Sequence, residues 1–258
     1  DVRIVAATNR VLEDLVNEFL AEGGSWEVFL AGAAARVGRI ASHRVAALGP
    51  GVTGLPVIWE MVREEALADI QYYLHEELVD ARDGWAPIGA EFEFKEVAVP
   101  ADNGGFSVRG RIDRMDRRDD RYRVVDYKTG GVWETAYGFR QGTSLQLPLY
   151  IRAASEQRSV GEEKVQAEYH YVGRKGRFER IVLQGTELAG DQSFERVKSA
   201  LRAGIEAGTF FYSPGGRNRE TCKLCDFSAV CRERVAWDFE RKAPGSADLR
   251  ADFNRIRR

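Results

Sequence analysis

Cysteine is scarce and confined: the three cysteines of this 258-residue chain all lie between positions 222 and 231. That excludes a disulfide framework and fits a reduced, cytoplasmic protein with one local metal-type cluster. No apolar run approaches the ~20 residues that span a bilayer. The opening Asp-Val-Arg has neither the basic start nor the apolar stretch of a signal peptide. The chain also opens without Met, which reads as a processed product or a fragment. Histidine is limited to His43, His75 and His170, so a His-rich phosphoesterase site is not expected. A Gly-x4-Gly-Lys-Ser/Thr phosphate loop is absent as well. Net charge is nearly nil, with 38 Lys and Arg against 40 Asp and Glu. A strongly basic total would argue for nucleic acid, and this total does not.

What is present is a chain with 44% hydrophobic and 30% charged residues, enough to bury a core under a polar surface. Charge is uneven along it. Arg109 to Lys128 holds eight Arg/Lys against five Asp, and Arg217 to Arg258 holds eleven against seven Asp/Glu. Basic patches near a site, and not a basic total, are what a polyanion requires.

Residues 2–7 read as a short strand and 11–21 as a helix broken by Gly23-Gly24. A second helix is expected over 26–48, ended by Gly49-Pro50-Gly51. From Pro56, the spacing of Val57, Met61, Leu67, Ile70, Leu74 and Leu78 predicts one apolar helical face. After Gly84 the period becomes two, with Ile88, Ala90, Phe92 and Phe94 alternating with polar residues or glycine. Asn103-Gly104-Gly105 reads as a hairpin turn, followed by strands at 106–115 and 122–126. A helix near 144–154, strands at 165–172 and 178–183 and a helix from 188 to 207 complete a mixed α/β core. Three regions are expected: N-terminal helices over 1–54, a main domain over 55–235 and a basic tail over 236–258.

The candidate chemistry lies in Gly110-Arg-Ile-Asp-Arg114 and Val124-Val-Asp-Tyr-Lys-Thr-Gly130. Asp126 and Lys128 are two apart on a strand, so both side chains leave one face. If the hairpin brings Asp113 opposite, two carboxylates and one ammonium converge. Hard divalent cations take such carboxylates together with waters and phosphate. Gln146 and Tyr150, four apart on a helix, share another face.

These motifs, in this order, resemble the RecB-like branch of the PD-(D/E)XK nucleases, over about Leu55 to Arg234. The resemblance implies a restriction-endonuclease-like mixed sheet flanked by helices. It implies Mg²⁺- or Mn²⁺-dependent hydrolysis of DNA, as an exonuclease on single-stranded ends, within a helicase–nuclease of DNA repair. Asp113, Asp126 and the Tyr127 main-chain carbonyl would hold the metal, with Glu91 a further candidate. Lys128 would be catalytic, and Gln146 and Tyr150 would position DNA or the catalytic groups. Relatives also carry a metal-binding His on an early helix. None of the three histidines sits in that context, and Asn9 stands at about the expected distance before Val11-Leu12-Glu13.

Cys222, Cys225 and Cys231 form a C-x2-C-x5-C run like that of iron–sulfur members of the same branch. A [4Fe–4S] cluster needs four thiolates, so the fourth would come from a longer native protein. Zinc and an empty reduced loop stay open as alternatives. Residues 1–10 also look like the sensor strand of AAA+ ATPases, but without a phosphate loop that match supports no ATPase. The rival to an enzyme is a non-catalytic DNA-binding or scaffolding module of a helicase complex.

Overall fold

The computed structural model describes residues 2–46, 55–102, 104–132, 144–189 and 191–208. They begin with four helices: α1 (Val2–Glu22), α2 (Trp26–Ala31), α3 (Ala33–Ala46) and α4 (Pro56–Arg82). Strands β1 (Ala86–Ala101), β2 (Gly104–Arg118) and β3 (Arg121–Lys128) follow. Next come α5 (Gln146–Arg158), β4 (Val165–Tyr171), β5 (Arg180–Gln184), the short α6 (Gly185–Leu188) and α7 (Gln192–Glu206). By contact these described residues fall into two compact units, one drawn from 2–46, 55–98, 107–132, 144–189 and 191, the other from 99–102, 104–106 and 192–208.

The five strands form one mixed sheet in sequence order. β2 and β3 are antiparallel, β3 and β4 parallel, and β4 and β5 antiparallel. The parallel pair needs a crossover, and α5 lies within it. This is the restriction-endonuclease-like α/β architecture expected from the sequence, with helices preceding the sheet.

One sheet face packs on the N-terminal helices. Val125, Tyr127 and Val172 join Leu12, Leu15, Val16, Phe19, Val37 and Ile70 in a single buried cluster. The face also carries a buried ionic network. Arg114 pairs with Glu77 at 2.5 Å and Asp116 at 2.6 Å, and Arg123 pairs with Asp116 at 2.6 Å and Asp80 at 2.5 Å. Tyr73 and His170 complete it through Glu77, with Glu168 beyond His170. Against burial, a hydrogen bond with His170 and the nearby Arg123 charge hold Glu168 down at about 2.

Several expectations change. Residues 2–7 are helical, the first turns of α1. β-branched residues disfavour helix only weakly, and extending an existing helix costs far less than nucleating a new element. The helix expected over 26–48 is two helices parted at Gly32, and α2 starts on an N-cap at Ser25, whose side chain accepts from the Val28 N–H. The helix expected from 188 starts at Gln192, because a capping box of Gln184 and Glu187 makes 185–188 a separate turn. The apolar face expected along α4 is buried only in its later half: Ile70, Tyr73 and Leu74 are covered, whereas Val57 and Met61 are exposed.

β1 departs from simple alternation. After Pro87, its buried residues Phe94, Val97 and Val99 are spaced three and then two apart. Glu96, at φ 54°, and Glu91, at φ 47°, both take left-handed backbone, which breaks the regular pleat. Among the described residues no helix is long and apolar enough to cross a membrane.

Candidate active site

The β2–β3 ladder pairs Arg114 with Val125. One step further along an antiparallel ladder stand Asp113 and Asp126, which therefore share a face. Asp113 Oδ2 accepts the Tyr127 N–H at 3.0 Å, which fixes that carboxylate at the end of β3. Lys128 lies on the same face as Asp126, its Nζ 2.5 Å from Asp126 Oδ2. The predicted trio converges.

α5 closes over this face and brings the other predicted pair. Gln146 Nε2 donates to Asp126 Oδ1 at 2.6 Å and to Tyr150 Oη at 2.9 Å. Gln146 Oε1 accepts from Lys128 Nζ at 3.0 Å. Tyr150 in turn donates to the Arg111 carbonyl at 2.9 Å, tying α5 to β2. One amide thus bridges the ammonium and the carboxylate and orients both.

The electrostatics follow from burial. Burial and the neighbouring Asp126 raise Asp113 to about 6, against the help of the Tyr127 N–H and Lys128. Asp126 is also raised by burial, although Lys128 and Tyr150 pull it down. The buried Asp126 and the half-buried Asp113, both with raised proton affinity, make with Lys128 beside Asp126 a spot that favours a cation.

Glu13 and Tyr169, to which sequence reasoning assigned no role, join the site, and so does Asn9, from the place where the resemblance expects a histidine. Glu13 on α1 is buried, and burial, Glu91 and Asp113 raise it to about 7. Tyr169 on β4, in register with Asp126, places its ring centroid 4.8 Å from Lys128 Nζ and shares a 3.0 Å hydrogen bond with Ser144. Asn9, one helical turn before Glu13, donates from Nδ2 to the Tyr127 carbonyl at 3.4 Å, and its buried Oδ1 has no hydrogen-bond partner. The Asn9 spacing was visible in the sequence; the Tyr169 register was not.

Glu91 is engaged otherwise than expected of a metal ligand. Its Oε1 pairs with Arg10 Nη1 at 2.9 Å and Arg111 Nη1 at 3.2 Å. The local basic surplus is also smaller at the surface than the count implies, since Arg114 and Arg123 are buried in ion pairs. Cys222, Cys225, Cys231 and the basic C-terminal stretch lie outside the described residues.

The donor set fits a hard cation. Two carboxylates, the Tyr127 carbonyl and the unpartnered Asn9 amide oxygen are all oxygen donors. No three His, Cys, Asp or Glu side chains among the described residues form an all-side-chain cage. Mg²⁺ does not need one, because it keeps waters and takes substrate phosphate oxygens.

A family profile described as the PD-(D/E)XK nuclease superfamily matches residues 27–232. The chain belongs to that superfamily. Gene 69 protein of Mycobacterium phage D29 is similar to this nuclease-superfamily chain, 32% identical over 132 residues. That alignment covers 49% of this chain and 43% of the phage protein, so the chain spans less than half of its relative. Among solved structures, "Crystal structure of SSO0001" is a distant likeness at 15% identity and TM-score 0.33, covering 86% of this chain and 96% of that one. At that score it adds nothing to the fold assignment.

Proposed function

We propose that this chain is a Mg²⁺- or Mn²⁺-dependent deoxyribonuclease of the RecB-like branch. It would act as an exonuclease on single-stranded ends beside a helicase in DNA repair. The observation that carries the reading is Gln146 joined to Asp126, Lys128 and Tyr150 at once. A solvated strand face has no need of such a bridge.

Asp113, Asp126 and the Tyr127 carbonyl would hold the metal, with Asn9 Oδ1 beside them. When bound, the cation supplies Lewis acidity, neutralising charge on the phosphoryl group and acidifying the attacking water. Lys128, held at one end by Asp126 and Gln146, sets a positive charge where negative charge develops in the transition state. The Tyr127 N–H keeps Asp113 from turning away, and Tyr150 keeps Gln146 in place. The three cysteines are one thiolate short of a [4Fe–4S] set, so no step is assigned to a cluster. Iron and sulfide analysis of the purified protein tests whether one assembles.

A non-catalytic DNA-binding module is the second reading. It is favoured by Asn9 standing where relatives of this branch carry a metal-binding histidine. An end-labelled single-stranded oligonucleotide with Mg²⁺ separates the two. Cleavage by the wild type and none by Asp126→Ala supports the nuclease, and equal cleavage by both refutes the assignment.

A further inference from the structure

Arg10 and Arg111 come from elements far apart in sequence, α1 and β2, yet both guanidinium groups converge on one oxygen of Glu91. About half of each arginine side chain is open to solvent, at 45% and 49%. Glu91 sits in left-handed backbone at φ 47°, a conformation that costs any non-glycine residue. Arg111 is anchored beside the site, since its carbonyl accepts from Tyr150 and it lies two residues before Asp113. On one strand that separation is about 6.6 Å, at about 3.3 Å per residue. Arg10 also reaches Glu13 Oε2 at 3.2 Å, so it stays tethered if Glu91 leaves.

We propose that Arg10 and Arg111 form a clamp for a backbone phosphate of DNA, next to the bond that is cut. Glu91 is then the clamp's internal counter-ion, which the phosphodiester displaces. Two forked donors aimed at one anionic oxygen suit a phosphate as well as a carboxylate. Half-exposed ion pairs are weak, so exchange of one anion for another is easy. This inference rests on the nuclease reading for its ligand but not for its test.

The test measures anisotropy of a fluorescein-labelled single-stranded oligonucleotide with the full chain in EDTA, across a salt series. Arg10→Ala and Arg111→Ala are each expected to weaken binding about 5- to 10-fold and to flatten the log–log salt slope by about 0.7. Arg111→Lys keeps the slope but stays weaker, having lost the fork. Glu91→Gln, with the competing charge removed, is expected to bind about 3- to 10-fold tighter. Unchanged or weaker binding by Glu91→Gln, or wild-type affinity in both alanine variants, overturns the clamp. So does a wild type that binds no oligonucleotide. If the clamp variants behave as expected while wild-type protein never cleaves, the clamp stands and the nuclease reading falls. If Asp126→Ala abolishes cleavage while the arginine variants bind normally, the reverse holds.

Discussion

Gln146 Nε2 stands 2.6 Å from Asp126 Oδ1 while the other end of the same amide takes the Lys128 ammonium at 3.0 Å. A helix residue thus sets the spacing between two strand residues of opposite charge. Gln146→Leu keeps the volume and deletes both contacts. It is expected to slow cleavage about 10- to 100-fold, within the usual range for a positioned polar group, with the thermal midpoint little changed. Single-turnover rates at saturating DNA and metal check this. Tyr150→Phe, which leaves Gln146 with its two charged partners, is expected to lose less.

Tyr169 offers Lys128 an aromatic face from the neighbouring strand. If that contact steadies the ammonium, Tyr169→Phe preserves cleavage and Tyr169→Leu lowers kcat without raising KM for DNA. A proton NMR shift of the Lys128 side chain, displaced by the ring current in wild type and Tyr169→Phe but not in Tyr169→Leu, reports the contact without any activity.

In the metal-free protein, Asp113 is raised to about 6 by burial and Asp126. The folded state therefore keeps a proton that the unfolded chain has released above its ordinary value near 4. The stability this group permits is intact below pH 4 and falls as pH rises to 6. Asp113→Asn is accordingly expected to gain on the order of 2 kcal/mol over wild type at pH 8, and nothing at pH 4. Urea unfolding in EDTA at the two pH values measures it. Adding Mg²⁺ at pH 8 is expected to raise the wild-type midpoint and leave the variant nearly unmoved.

Glu77 is fully buried against Arg114, Arg180 and the Tyr73 hydroxyl. Glu77→Ala leaves the buried Arg114 with Asp116 as its remaining carboxylate, beside the Tyr127 hydroxyl, and is expected to cost about 3–5 kcal/mol. A lower urea midpoint with an unchanged slope checks it.

The legible part of this protein is the part governed by short periods. Asp126 and Lys128 two apart, and Gln146 and Tyr150 four apart, declare a strand face and a helix face whatever surrounds them. Asp113 needed one further step, the antiparallel register of a hairpin. The illegible part depends on partners brought together by tertiary packing rather than by a short period. Glu13 reaches the site because α1 packs beside the end of β3, and nothing in Val-Leu-Glu-Asp announces that neighbour. Tyr169 acquires its place through a parallel pairing across a crossover, where no turn fixes the register. Alternation makes Glu91 a strand residue of a solvated face, and only the family resemblance offers it to the metal. Its left-handed φ and its contacts with Arg10 and Arg111 depend on backbone conformation and on distant elements, which no side-chain pattern carries. Arg114 and Arg123 look in sequence like charges for a polyanion, but the Glu77 and Asp80 that bury them lie on another element.

Calorimetric titration of Mn²⁺ into metal-free protein at pH 8 bears most directly on the paired carboxylates. Saturable binding by the wild type, abolished in the Asp113→Asn/Asp126→Asn double variant while its fold persists, is the predicted result. Equal binding by the two proteins, or none by the wild type, contradicts the account.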